Sequence, residues 1–275
     1  MNVGGACSKV TEKTMRRLQL LGAPSDVNSS FLRGAAGAPA LIRKALFSDS
    51  SNLASEHGGE IGRDLSLDDL GDLALTGGEA EFTCLQSAAA GASAPLLTLG
   101  GDHSITYPLV AGLAARHGPL NILHFDAHPD LYENFEDNRF SHASPFARIM
   151  EGGHACRLVQ VGIRTMNAHC RAQAERYGVE VVPWAGFDPR AAPVPDGPLY
   201  VTIDLDGFDP AFCPGVSHHE PGGLSVRDAI TMLHRIEAPV VGADIVEYNP
   251  VRDINEMTAY VAAKLVKELA SIMAR

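Results

Sequence analysis

The sequence predicts an α/β protein, a mostly parallel sheet flanked by helices. Three observations predict it. Apolar runs recur at Leu18–Leu21, Leu96–Leu99, Ile122–Phe125, Leu158–Gly162, Val179–Val182, Tyr200–Leu205 and Val240–Val246. Most are continuous rather than alternating, as expected of strands covered on both faces. Helical patterns fall between them. Ser225-Val226-Arg227-Asp228 has the form of a capping box, and Val226, Ala229, Ile230 and Leu233 follow at helical spacing. Val261, Leu265, Leu269 and Met273 make the apolar stripe of a final helix. Strands alternating with helices imply parallel pairing, and ligands of such sheets bind at the carboxyl ends of the strands.

Composition narrows the function. The 275 residues suit a single domain over residues 1–275, with an ordinary apolar fraction of 45%. A net charge of −11 with no Lys/Arg cluster argues against nucleic acid as a partner. No apolar run approaches the roughly 20 residues that span a membrane. With no apolar leader after Arg16-Arg17, and the first strand starting at Leu18, the expected location is cytoplasmic. Cys7, Cys84, Cys156, Cys170 and Cys213 are widely spaced and form no CxxC, so neither a disulfide framework nor a thiolate metal site is expected. Cys213 reads as a packing residue. Arg33–Pro39 reads as a turn before a helix, not as a nucleotide-binding loop.

The chemistry lies in three acidic runs, each ending an apolar stretch. They are Gly100-Gly101-Asp102-His103-Ser104, Asp126-Ala127-His128-Pro129-Asp130 and Asp204-Leu205-Asp206. Carboxylates at the end of a buried strand are costly unless something neutralises them. Residues two apart in an extended chain share a side, so Asp126, His128 and Asp130 converge, as do Asp204 and Asp206. Two imidazoles and at least four carboxylates exceed the needs of one ion and suit a pair of divalent ions. Of Asp102 and His103 only one need be a ligand, and Asp209 is a turn former or an outer partner. His57, His117, His154 and His234 stand in no motif.

The GGDHS run, DAHPD, Ser141-His142-Ala143-Ser144-Pro145-Phe146, the Asp204–Pro210 run DLDGFDP and the Gly242–Pro250 run GADIVEYNP resemble, in order, the motifs of the ureohydrolase family of arginases and agmatinases. From Leu120 onward the chain is most similar to plant-type arginases and their bacterial relatives. The resemblance implies a three-layer open α/β sandwich and two Mn2+ per chain, held by His103, Asp126, His128, Asp130, Asp204 and Asp206. Asp126 and Asp206 are the expected bridges. Two such ions lower the pKa of water from about 16 towards 7. Asp130 is then expected to take the proton the nucleophile releases, and Glu247 to pair with the guanidinium nitrogens. His142 is expected to hand a proton to the leaving amine. The resemblance also implies a homo-oligomer, a trimer or hexamer.

Substrate choice turns on a few positions. Animal-type arginases read the amino-acid end of arginine with residues that are here Tyr132 and Asn167. The Asp-Leu-Tyr run at Asp130 and the GIRT run at Gly162 are closer to agmatinases. The first expectation is therefore agmatine, cleaved to putrescine and urea; Asn167 can still accept a hydrogen bond from arginine's ammonium, so some arginine turnover is expected beside it. Arginine to ornithine is the alternative, followed by other guanidino or formimidoyl substrates and by a non-catalytic metal-binding homologue. Val216–Pro221 replaces the family's TGTP segment and places His218 at the pocket mouth.

Overall fold

The computed structural model describes residues 15–275, so Cys7 lies outside the described residues. The chain runs β1 (Arg16–Ala23), α1 (Ala38–Leu46), β2 (Leu65–Asp72), α2 (Gly78–Gly91), β3 (Leu96–Gly100), α3 (Thr106–His117), β4 (Leu120–Phe125), α4 (Pro145–Glu151) and β5 (Ala155–Val161). It continues through α5 (Ala168–Tyr177), β6 (Glu180–Val181), β7 (Leu199–Asp204), α6 (Val226–His234), β8 (Val240–Val246) and α7 (Met257–Met273). The eight strands form one sheet in the order β2-β1-β3-β8-β7-β4-β5-β6. Every pair in it is parallel.

Helices cover both faces, which explains the continuous apolar runs. Leu123 and Phe125 of β4, Val201 and Ile203 of β7 and Ala243 and Ile245 of β8 pack with α1, α6 and α7. The alternate residues Ile122, Tyr200 and Val246 pack on the other side with Leu85 of α2, Leu109 and Leu113 of α3 and Phe146 of α4. The result is the expected three-layer α/β sandwich. The capping box of α6 is formed, with Ser225 Oγ accepting from the Asp228 amide and Asp228 accepting from the Ser225 amide.

Two elements differ from the sequence reading. β2 lies outside the apolar runs, because Asp68, Asp69 and Asp72 give it an acidic composition. At a sheet edge only one flank needs an apolar covering, and charge there discourages pairing with another chain. Arg17 neutralises Asp68 at 2.9 Å, and Arg43 neutralises Asp69 and Asp72 at 2.8 and 2.5 Å. At the opposite edge β6 is only two residues long, shorter than the apolar run around it.

The sheet order decides where function sits. β3 and β4 are consecutive along the sheet-forming chain on that side of α3, yet β8 and β7 lie between them. The four central strands therefore end side by side and deliver all three acidic runs, and the Glu247 run after β8, to one edge. Such a reversal of strand order opens a crevice at the carboxyl ends. Glycine permits the tightest approaches there. A Cβ on Gly101 would lie 1.8 Å from the Ser25 carbonyl oxygen, and one on Gly207 2.8 Å from the Asp126 nitrogen.

Candidate active site

His103 is the centre of the first cluster. It leaves β3 in a short turn capped by Asp102, whose carboxylate accepts from the Ser104 amide and hydroxyl at 3.0 and 2.5 Å. The other Asp102 oxygen accepts from the Asn28 amide at 3.0 Å. Asp102 thus braces the loop, and His103 alone of the pair faces the crevice. His103 Nδ1 stands 3.3 Å from Asp126, 3.1 Å from Asp130 and 3.1 Å from Asp204. It is buried without a hydrogen-bond partner, although three carboxylate oxygens surround it. A cation among these four groups would satisfy all of them at once. His128 Nδ1 lies 3.2 Å from Asp206 and 3.5 Å from the second Asp126 oxygen.

Two groups face the crevice side, His103/Asp126/Asp130/Asp204 and Asp126/His128/Asp206, with ligand atoms in each within 4.8 Å of one another, and a third joins His124 to His103 and Asp126. Asp126 belongs to all three. Asp206 stands in the second. Cys213 is in none of them and is packed in the apolar core. Asp209 accepts from the Ala211 and Gly222 amides and forms a turn.

The electrostatics of the cluster call for positive charge. Burial, reinforced by Asp126, pushes Asp130 up to about 6. Burial and the neighbouring Asp206 and Asp126 raise Asp204 well above the carboxylate range. Burial also raises Asp206 against the pull of His128. For Asp126 burial acts in the same sense, but His124, His103 and His128 outweigh it and hold the group low. Four carboxylates confined with two ligating imidazoles fit a pair of divalent cations, and the oxygen and imidazole donors include no thiolate.

Beneath this cluster lies a polar row that the sequence reading did not single out. Thr98 of β3, Asp244 of β8, Thr202 of β7, His124 of β4 and Gln160 of β5 stand in register across five strands, all buried. Thr202 Oγ1 meets His103 Nε2 at 3.0 Å. Gln160 Nε2 donates to the Pro129 carbonyl at 2.7 Å and to His124 Nδ1 at 3.1 Å. With Nδ1 accepting, His124 carries its hydrogen on Nε2 and donates it to Asp126 at 2.7 Å. Burial lowers His124 to about 4, so the ring is neutral. The available signal was a polar residue inside each of several apolar strands, which is costly unless the residues serve one another.

Glu247 and His142 close the inner wall. Glu247 follows β8 with a left-handed backbone, φ 63°, held by a bond from its amide to the Gly101 carbonyl at 2.8 Å. Non-glycine residues hold such conformations mainly where function or packing requires them. Glu247 Oε1 accepts from the His103 amide at 2.9 Å and meets His142 Nδ1 at 3.0 Å. Ser30 Oγ meets His142 Nε2 at 2.8 Å. Burial pulls His142 down, but Glu247 and then Asp102 and Asp130 outweigh it, and the imidazole rises to about 9. Asp130 also has a left-handed backbone, φ 47°, which turns its carboxylate back to the cluster.

A cavity of about 630 Å³ joins these groups to Tyr132, Asn167, His218 and Glu220. Asn167 caps α5, its Oδ1 accepting from the Cys170 amide at 2.9 Å, and its Nδ2 donates to the Tyr132 hydroxyl at 2.5 Å. The carbonyl is engaged and the remaining hydrogen is a donor. Asn167 thus lines the cavity with one amide hydrogen free, beside a carbonyl that already accepts one bond. The His218 ring stands 5.4 Å from His142 and 5.8 Å from His128. His219 turns away to the Pro214 carbonyl. Arg164 lines the cavity, but its guanidinium donates to the carbonyls of Gly162, Asp206, Gly207, Phe208 and Glu220.

Comparisons with known proteins identify the family. The model of the arginase family matches residues 16–271. The chain is 48% identical over 272 residues to arginase 1, mitochondrial, of Arabidopsis thaliana, covering 92% of this chain and 80% of that protein. It is 35% identical over 195 residues to the mitochondrial agmatinase of Gallus gallus, covering 64% of this chain and 56% of that one. The solved arginase of Medicago truncatula superposes with a TM-score of 0.89 at 41% identity, covering 94% of this chain and 88% of that chain. The expected cytoplasmic location is overturned, since the plant arginases it is similar to are mitochondrial or chloroplastic by name. Lack of room for a leader ahead of β1 was an argument from absence and does not decide the compartment. No helix among the described residues is long and apolar enough to cross a membrane. The fold, the paired His/Asp clusters and the family match lead to one conclusion: the chain belongs to the arginase family and is a hydrolase of the ureohydrolase type.

Proposed function

We propose that the chain is an arginase, cleaving the guanidino C–N bond of arginine to give ornithine and urea. The observation that carries this reading is the extent of the likeness. Nine-tenths of the chain matches an arginase at 48% identity, whereas under two-thirds matches an agmatinase at 35%. This displaces agmatine as the first expectation. The Asn167 orientation supports the change, because a free amide hydrogen suits the α-carboxylate that arginine has and agmatine lacks.

His103, Asp126, Asp130 and Asp204 would hold one ion and Asp126, His128 and Asp206 the other, and this oxygen and imidazole set suits manganese. Two such ions, when bound, supply an activated water at neutral pH. The chain's own groups do the rest. Glu247 Oε1 is taken by the His103 amide and His142, which leaves Oε2 to accept from the guanidinium N–H groups. Asp130 takes the proton released as water adds to the guanidinium carbon. His142, protonated at neutral pH because Glu247 stands against it, gives its proton to the leaving amine nitrogen. The C–N bond then breaks without expelling an amide anion. Once deprotonated His142 no longer serves as the acid, so this step weakens as pH rises through its pKa.

We read the apolar surface where α1 meets α7 as a self-association face. Phe47, Val251, Ile254 and Met257 are exposed there, beside the Lys44–Glu256 ion pair. Clustered exposed apolar residues mark association sites.

Four outcomes are expected. Steady-state kinetics will give kcat/KM for arginine about ten- to a hundredfold above that for agmatine, the worth of a hydrogen bond to a charged group. A preference for agmatine would sink the arginase reading. His142→Ala will lower turnover by ~10²–10⁴ with metal content unchanged; near-normal turnover would remove His142 from the proton path. His124→Ala will weaken metal binding by roughly 10–100-fold in a chelator competition, the usual effect of losing an outer partner of a ligand. Unchanged affinity would make the polar row merely structural. Sedimentation will show an oligomer that Ile254→Asp dissociates, and a monomeric unmodified protein would refute the association face.

A further inference from the structure

Both ring nitrogens of His142 are occupied. Nδ1 meets Glu247 Oε1 at 3.0 Å, and Nε2 meets Ser30 Oγ at 2.8 Å. His142 is only 8% exposed, whereas Ser30 is exposed and lines the cavity beside it. Resting on the reading of His142 as the proton donor, we propose that Ser30 is its relay. The Ser30 hydroxyl carries the exchangeable proton between Nε2 and the cavity.

The loop after β1 is fastened so as to hold this contact. Asn28, two residues before Ser30, is bound on three sides. Its amide donates to Asp102 at 3.0 Å, and its Nδ2 donates to Ser104 Oγ at 3.1 Å. Its carbonyl accepts from the amide of His142 itself at 3.2 Å. Asn138 Nδ2 donates to its Oδ1 at 3.1 Å. Main chain is thus tied to main chain, and the hydroxyl is set against the ring. Ser30 is the one hydrogen-bond partner of Nε2 among the described residues. The Glu247 carboxylate keeps a hydrogen on Nδ1, so the proton that comes and goes is the one on Nε2. A carboxylate on one imidazole nitrogen and a hydroxyl on the other is how serine hydrolases fix a tautomer and move one proton along a set path. The same arrangement serves here without a nucleophilic serine. As the guanidino C–N bond breaks, its electron pair passes to the leaving nitrogen. That nitrogen takes the hydrogen of Ser30 Oγ, and Oγ takes the proton of Nε2. On return, Oγ gives its hydrogen to Nε2 and takes a proton from an acid in the solvent. Ser30 ends both transfers as the neutral alcohol, and His142 ends the cycle as the imidazolium.

The experiment separates a relay from a residue that only packs against the ring. Ser30→Ala removes the hydroxyl and leaves Asn28 in place. On the metal-loaded protein it is expected to lower kcat by about tenfold or more, part of the worth of a general acid, with KM little changed. Added imidazole is expected to restore that turnover in proportion to its concentration, because a small acid can then meet Nε2 directly. Ser30→Thr keeps a hydroxyl and is expected to retain most of the activity with no response to imidazole. Unchanged turnover in Ser30→Ala would overturn the relay. A loss that imidazole does not relieve would overturn it too, leaving Ser30 a packing partner of the ring. The underlying reading is judged separately. Near-normal turnover in His142→Ala would remove the proton donor itself, whereas normal Ser30→Ala beside an impaired His142→Ala refutes the relay alone. If agmatine proves the better substrate, the arginase reading fails and the same measurements on agmatine still decide the role of Ser30, since the nitrogen that leaves is again an alkylamine.

Discussion

Four carboxylates, Asp126, Asp130, Asp204 and Asp206, are held out of water within reach of two imidazoles. Left to themselves such groups repel one another and favour the neutral acid, as the raised Asp130, Asp204 and Asp206 indicate. The fold overcomes that repulsion. A fully parallel sheet stacks the carboxyl ends of its central strands side by side, and hydrogen bonds along each strand prevent the ends from separating. Cations complete the balance. Bound there, cations would relieve the repulsion among these groups.

Orientation within the cradle depends on groups that touch no substrate. Thr202 engages the outer nitrogen of His103, and His124 donates to Asp126. Gln160 in turn decides which nitrogen of His124 bears the hydrogen. The register of three neighbouring strands thus sets the direction of a single carboxylate. One residue of slip in β5 would move Gln160 to the opposite face and leave His124 free to reverse.

The fold and the metal-type ligands were legible for physical reasons. Continuous apolar runs identify doubly covered strands, and acidic residues at their ends cannot be accidental because burying them is costly. The polar row was less legible, because each member is one residue in an apolar strand and its meaning is only in the alignment across the sheet. β2 was missed because an edge strand need not look buried. The substrate end was less legible for a sharper reason. Asparagine is both donor and acceptor, and the residue name at position 167 does not tell which face is free. That depended on the Cys170 amide, a neighbour in the helix cap.

Arg164 raises a problem that any enzyme acting on guanidinium must meet. The protein's own arginines carry the reactive group of the proposed substrate, and this one lines the cavity where that group is to be bound. A free guanidinium in the same cavity as Glu247 would be a tethered competitor, present at a high local concentration. Arg164 is instead enclosed by five main-chain carbonyls from three segments of the chain. These satisfy its donors. The residue ties the loop after β5 to the loop after β7, and the same bonds keep the pocket clear for a guanidinium from outside.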